Sequence, residues 1–277
     1  MNLAENKINE IQVVNKEINM EELKKIELEI LQEVHNFCEI HQLRYFLWGG
    51  TLLGAIRHGG FIPWDDDVDI AMLRDDYEKF LNEFNSAEYG ISECYGDDRH
   101  PYWHAKVYKK DTEKIESIYY SKGYSIGVDI DVFVLDSYAD YNEVMKTAEW
   151  RAKQIKWYWI SLIPKTTKSL KGKFAGFVAR NIFRYTANRT ACAINNKAKG
   201  FGRNGDGIML YADCNLKQPL KLERSWFENR VLTRFEDTAF YVPCNYDSLL
   251  RACYGDYMTP PPKEKQVAHH SFVAYYK

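Results

Sequence analysis

The stretch GGFIPWDDDVDIAM, Gly59 to Met72, constrains the fold most. Four of the five residues from Asp65 to Asp69 are aspartate, set between the apolar runs FIPW and VDIAM. Charge entering a core-bound strand is costly unless something compensates it. Alternate side chains of a strand share a face, so Asp67 and Asp69 point one way while Val68 and Ile70 enter the core. Asp65 shares their face if the strand begins early. Asp66 faces the other way, toward the turn or a neighbouring basic side chain. A later stretch, YSIGVDIDVFVLD, repeats the pattern, with Asp129 and Asp131 alternating with Val128, Ile130 and Val132. If the two strands are neighbours, the carboxylates converge and repel one another. A divalent cation relieves that repulsion, and an all-oxygen site suits Mg²⁺ or Mn²⁺. A lone Asp-x-Asp fits a surface turn or a helix cap equally well. Two such motifs interleaved with apolar residues favour the metal.

The elements around these strands follow from periodicity. Residues 17–42 read as an amphipathic helix, with Ile26, Ile30, Val34, Phe37 and Cys38 on one face. LRYFLW is a short strand that ends in the turn Trp48-Gly49-Gly50-Thr51, and Thr51 is placed to cap the helix TLLGAIRH. Two glycines let backbone N–H groups approach a phosphate, and the following helix points its positive end at it. Residues 75–85 form a helix with an acidic first turn. WHAKVYKK and ESIYYS read as antiparallel neighbours. Residues 141–200 are helical in pattern, interrupted near Ser161–Lys173. Short strands and turns fill 208–257, and a turn-rich tail, YGDYMTPPPKEKQVAHH, follows.

Charge is unevenly spread. From Trp150 to Gly205 there are thirteen Lys and Arg and no acid, so a net charge of −2 leaves −15 on the remaining residues. A basic block within an acidic chain points to a phosphate-rich partner, an anionic membrane surface or nucleic acid. The opening MNLAENKINE has no apolar signal segment, and no run of ~18 apolar residues could span a bilayer. Six scattered cysteines without a CxxC pair read as buried, reduced thiols of a cytoplasmic protein.

The order strand, Gly-Gly turn, helix, Asp-bearing strand, second Asp-bearing strand resembles the nucleotidyltransferase superfamily. The matches are Trp48-Gly49-Gly50, Asp67-Val68-Asp69-Ile70 and Ile130-Asp131-Val132. The long interval between Gly50 and Asp67 narrows the resemblance. GGTLLGAIRHGGFIPWDDDVDIAMLRDDYEKF is similar to the LicD family, which includes the fukutin-related proteins. The later DIDVFVLD and YGDYMTPPPKEK segments are similar to that family too. The resemblance covers Leu28–Asp136 and Val231–His270, and leaves 141–205 without a match.

That resemblance implies an α/β (α+β) fold: a nucleotidyltransferase-like mixed sheet flanked by helices. Residues 1–140 would form the catalytic core, 141–205 a basic, aromatic-rich helical insertion, and 206–277 would complete the catalytic domain. It implies transfer of phosphocholine from CDP-choline to a hydroxyl of a cell-surface glycan or its lipid-linked precursor. Asp67, Asp69 and Asp131 would bind the metal, with Asp131 or Asp129 as general base. Gly49, Gly50, Thr51, Trp64 and His269 would bind the donor, and Arg57 and Lys106 would stabilise charge in the transition state. Asp256, Lys265 and His270 are further candidates for contact with donor or acceptor. A quaternary ammonium needs ring faces, for which Trp64, Tyr102, Trp103, Tyr119 and Tyr120 are candidates. The block at 150–205 is expected either to meet an anionic membrane or the diphosphate of a lipid-linked precursor, or to pack as a plain helical subdomain. Nucleic acid is not expected as a partner. The rival readings are CDP-ribitol or CDP-glycerol as donor, nucleotidyl transfer to a small molecule, an Asp-x-Asp glycosyltransferase, and an inactive binding module.

Overall fold

The computed structural model describes residues 15–116, 124–163, 167–182, 186–202, 205–212, 218–267 and 272–277. His269, His270, Tyr119 and Tyr120 lie outside them. The first helix, α1 (Met20–His41), starts at a reciprocal cap: the Asn19 side chain accepts from the Glu22 N–H, and the Glu22 carboxylate accepts from the Asn19 N–H. Gln42 ends it in the left-handed conformation. Its inner stripe buries Leu23, Ile26, Ile30, Leu31, Val34 and Cys38, each aliphatic side chain worth about 1.5–3 kcal/mol of burial.

A short strand, β1 (Phe46–Leu47), leads into α2 (Gly49–Arg57). The cap of α2 differs from the sequence expectation. Trp48 holds the N-cap position without a side-chain bond, and Thr51 lies inside the helix. β2 (Asp69–Leu73) runs straight into α3 (Arg74–Glu83). Then come β3 (Tyr89–Ser92), β4 (Ala105–Lys109), β5 (Thr112–Glu116) and the long β6 (Asp129–Tyr138). Helices α4 (Tyr141–Met145), α5 (Ala148–Leu162), α6 (Leu170–Phe177) and α7 (Ala187–Lys199) follow, with a π-helical turn, Val178–Ile182, extending α6. The chain ends through β7 (Gly207–Leu210), β8 (Leu220–Glu223), β9 (Arg230–Phe235), β10 (Thr238–Pro243), α8 (Tyr246–Tyr254) and β11 (Phe272–Tyr276).

The main sheet is mixed, in the order β1-β2-β6-β4-β3, with β7 joined to the far end of β6 and β8 to β7. Its one parallel pairing among the described residues is β2 with β6. This register sets Asp69 beside Asp131, and the antiparallel β4 sets Lys106 on the other side of Asp131. The mixed α/β architecture expected from the sequence is thus present, and the two Asp-bearing strands are neighbours.

β4 and β5 follow one another in the chain but are not paired with each other. The segment Ile126–Val128 takes the bonds such a hairpin would use: the Lys109 N–H donates to Val128 O at 2.8 Å, and the Lys114 N–H donates to Ile126 O at 2.7 Å. β5 pairs with β11 instead, and ESIYYS beyond Glu116 lies outside the described residues. The cysteine reading also needs correction. Cys38 and Cys94 are buried, but Cys244 and Cys253 are exposed.

A second apolar cluster joins the helical insertion to the rest. Tyr102 and Trp103 before β4 pack there with Tyr158 and Leu162 of α5, Ala191 and Ile194 of α7, and Met209 of β7. Polar anchors fix this joint. The fully buried Arg151 donates to Tyr211 O, and Asn195 Nδ2 donates to Trp103 O at 2.6 Å. Two parallel bonds from Arg74 to Asp136, at 2.8 and 2.9 Å, tie α3 to β6 nearby. Among the described residues, no helix is long and apolar enough to cross a membrane.

Candidate active site

The site is built where β1 turns into α2. The Trp48 N–H donates to Asp69 O at 2.9 Å, and the Asp69 N–H donates to the Thr51 hydroxyl at 2.8 Å. The turn is therefore laced to the start of β2. Glycine is required here by proximity. A Cβ on Gly49 would stand 2.5 Å from Asp69 Oδ2, and one on Gly50 would collide with Asp65 Oδ2. Gly49 also has φ +53°, which L side chains seldom adopt. The Gly-Gly pair thus lets the helix N-terminus press against the carboxylates.

Asp65, Asp66 and Asp67 precede β2 outside any helix or strand, and one carboxylate oxygen from each lies within 4.8 Å of the others. The sequence reading put Asp66 on the opposite face. It is buried between the partly exposed Asp65 and Asp67 and does not line the cleft that they line with Asp69, so it does face the other way, while one of its oxygens stays within 4.8 Å of theirs. Burial pushes the Asp69 carboxyl well above the usual carboxylate range, and the charges of Asp67, Asp131 and Asp65 push it further. The four carboxylates therefore share one field.

Asp131 has a different environment. Its carboxylate accepts from Lys106, and His104 Nε2 lies 3.1 Å from its other oxygen, outside hydrogen-bond alignment. Burial opposes its ionisation, yet attraction to His104 and Lys106 holds it well below the usual range. Asp129 is 2% exposed, with Lys106 Nζ at 2.6 Å and Lys114 Nζ at 3.1 Å. Lys106 is thus clamped between two carboxylates and lies over the Tyr102 ring, 4.4 Å from its centre. It is 5% exposed and does not line the cleft.

An open cleft of about 580 Å³ lies over the carboxylates. Gly50, Arg57, Trp64, Asp65, Asp67 and Asp69 line one side, and Tyr254, Asp256, Tyr257, Thr259 and Lys265 from the C-terminal part line the other. Arg57 Nη1 donates to Tyr257 O at 2.8 Å, which closes the two walls together. Of the residues singled out from sequence, Gly50, Arg57, Trp64, Asp67, Asp69, Asp256 and Lys265 reach this cleft. Gly49 and Thr51 support it from behind, and Asp131 is at the adjacent register position. Tyr102 and Trp103 belong to the second core, away from the cleft. Sequence reasoning missed Tyr254, Tyr257, His104, Lys114 and Glu27. The two-residue spacing of His104, just before β4, from Lys106 on it was the available signal for His104.

The carboxylate group passes a simple chemical test for a hard divalent cation. It offers oxygen donors only, within reach of one another, beside an Asp69 carboxyl whose charged form is disfavoured by burial first and by the neighbouring aspartates second.

A mixed α/β domain with a Gly-Gly turn pressed on an aspartate cluster is of the nucleotidyltransferase type. Residues 42–177 match the family model described as LicD/FKTN/FKRP, nucleotidyltransferase domain. Those residues carry the nucleotidyltransferase domain of the LicD family, a family of transferases. The chain is 29% identical over 278 aligned positions to the lipopolysaccharide cholinephosphotransferase LicD of Haemophilus influenzae, covering 94% of this chain and 99% of that protein. It is 48% identical to the human ribitol 5-phosphate transferase FKRP over 48 residues, 17% of this chain and 10% of that one. The family match extends through α5 and α6, which the sequence reading had left unmatched.

Proposed function

We propose that this protein transfers phosphocholine from CDP-choline to a hydroxyl of a cell-surface glycan, or of its lipid-linked precursor, with Mg²⁺ or Mn²⁺ as cofactor. The near full-length likeness to a lipopolysaccharide cholinephosphotransferase supports the transferred group. The observation that carries the chemistry is the cleft itself, which clustered carboxylates line together with cationic Arg57 and Lys265. Asp65, Asp67 and Asp69 would hold the cation, which would neutralise donor phosphate charge. Arg57 and Lys265 would hold the diphosphate, and the N–H groups at Gly49-Gly50 would orient it. Asp131, kept ionised by Lys106 and His104, would accept the proton of the attacking hydroxyl. The new bond joins that oxygen to the choline-bearing phosphorus as CMP leaves. Trp64, Tyr254 and Tyr257 give the cleft the ring faces a quaternary ammonium requires. The reaction would take place in the cytoplasm, where the nucleotide donor is available.

The short, strong likeness to a ribitol 5-phosphate transferase keeps CDP-ribitol as the second reading. A donor screen separates them: purified protein with Mg²⁺ and CDP-choline, CDP-ribitol, CDP-glycerol, CTP or UDP-sugars, following release of CMP, pyrophosphate or UMP. CMP release from CDP-choline above all others is expected, and turnover of UDP-sugars alone would overturn the reading. Asp67→Asn combined with Asp69→Asn should lower CMP release by at least about 10³-fold. Activity within about tenfold of the parent would remove their proposed role.

A further inference from the structure

The structure divides the basic block. α7 is spent on packing, because Ala191, Ile194 and Ala198 are buried and Asn195 is bonded to Trp103. α6 is different. Leu170, Phe174 and Phe177 recur at helical spacing, within roughly 60° of arc. They are 80%, 71% and 54% exposed, and Ile182 beyond them is 63% exposed. Three large apolar side chains in one outward stripe are not the scattered surface residues of an ordinary soluble domain.

The stripe is held outward by its own helix. Gly176 and Ala179 are buried on the inner side. Arg180 Nη1 then donates to Ser161 O at 3.1 Å and Ile163 O at 3.0 Å, fastening the helix to the end of α5. Lys168, Lys171 and Lys173 flank the stripe and are exposed. α5 adds exposed Lys153 and Lys156, and Trp159 at 43% exposure. No acid occurs between Trp150 and Gly205 to offset them.

We propose that the outward face of α6 docks flat on an anionic lipid bilayer, with Leu170, Phe174 and Phe177 entering the headgroup boundary and the flanking lysines meeting lipid phosphates. Charge complementarity selects this occupant. A nucleic acid or soluble polyphosphate would satisfy the lysines and leave the apolar stripe in water. A second copy would cover the stripe but bring two lysine rows together, which like-charge repulsion opposes. An anionic bilayer satisfies both, as an interfacial amphipathic helix does. The inference does not depend on which group the cleft transfers.

The test is sedimentation of the full chain with vesicles of phosphatidylcholine alone, and with vesicles of phosphatidylcholine and phosphatidylglycerol in equal parts. Binding to the anionic vesicles only, weakening as salt is raised, is expected. L170S/F174S/F177S should bind at least about tenfold more weakly, since three apolar side chains leave the interface. K168Q/K171Q/K173Q should lose the preference for anionic lipid. Circular dichroism and Tm check that both variants are folded. Three results would overturn the proposal. They are failure of the parent to bind anionic vesicles, binding of both triple variants equal to the parent's, and a dimer in sedimentation velocity that the apolar triple dissociates while vesicles are ignored.

Discussion

At Gly50 the space a Cβ would take belongs to the Asp65 carboxylate. Gly50→Ala adds a better helix former, worth up to about 1 kcal/mol. Tm should therefore hold or rise while CMP release falls, by about a hundredfold if Asp65 is displaced by an ångström. Activity and stability falling together would mean the glycine is needed only for folding. Lys106 makes the opposite case. It looks like a catalytic cation in the sequence, yet it stands between Asp129 and Asp131 beneath the surface. Removing one partner of a buried ion pair leaves charge uncompensated, at a cost of about 3–5 kcal/mol. Lys106→Met should lose that much in urea unfolding, and combining it with Asp129→Asn should recover part of it. A variant as stable as the parent would show that the lysine is not holding these carboxylates.

At the scale of elements, α1 carries more than packing. Glu27 lies on its inner stripe, beside Ile26, Ile30 and Leu31, fully buried with neither carboxyl oxygen hydrogen-bonded among the described residues. Burial pushes its carboxyl well above the usual 4.5; Lys114 offsets this in part, while Asp67, Asp129 and Asp66 push it further. The folded state therefore holds a proton that the unfolded chain releases. Stability from this group is fully present below pH 4.5 and is lost as pH rises toward the folded value. Glu27→Gln does not titrate, so its Tm should gain on the parent as pH rises and the gap should close in acid. A gap that does not change with pH would show that Glu27 is not the titrating group. The acidic residue within an apolar period was visible in the sequence. That β5 would leave β4 for β11 was not, because it depends on Ile126–Val128 arriving from farther along the chain.

At the scale of the whole molecule, the cleft exists because segments far apart in the chain meet. The Ile18 N–H donates to Ala274 O, the Tyr276 N–H donates to Lys16 O, and Arg57 reaches Tyr257 O across 200 positions. The Gly-Gly turn, the aspartate run, the alternating apolar partners and the basic block were all legible in the sequence. They rest on local periodicity and on the high cost of burying charge, which operate between near neighbours along the chain. The sequence by itself therefore determined a mixed α/β chain with carboxylates gathered behind a glycine turn. Tertiary structure alone decided which carboxylates stay clustered and which are neutralised. Asp131 and Asp129 meet Lys106 of the adjacent β4, and Asp129 also meets Lys114 of β5, while Asp65, Asp66 and Asp67 stand together before β2. It also decided that α7 is core while α6 faces outward. The physical reason is that a charge or an apolar face is defined by what lies across from it. That partner is chosen by strand register and helix packing between residues far apart in the chain.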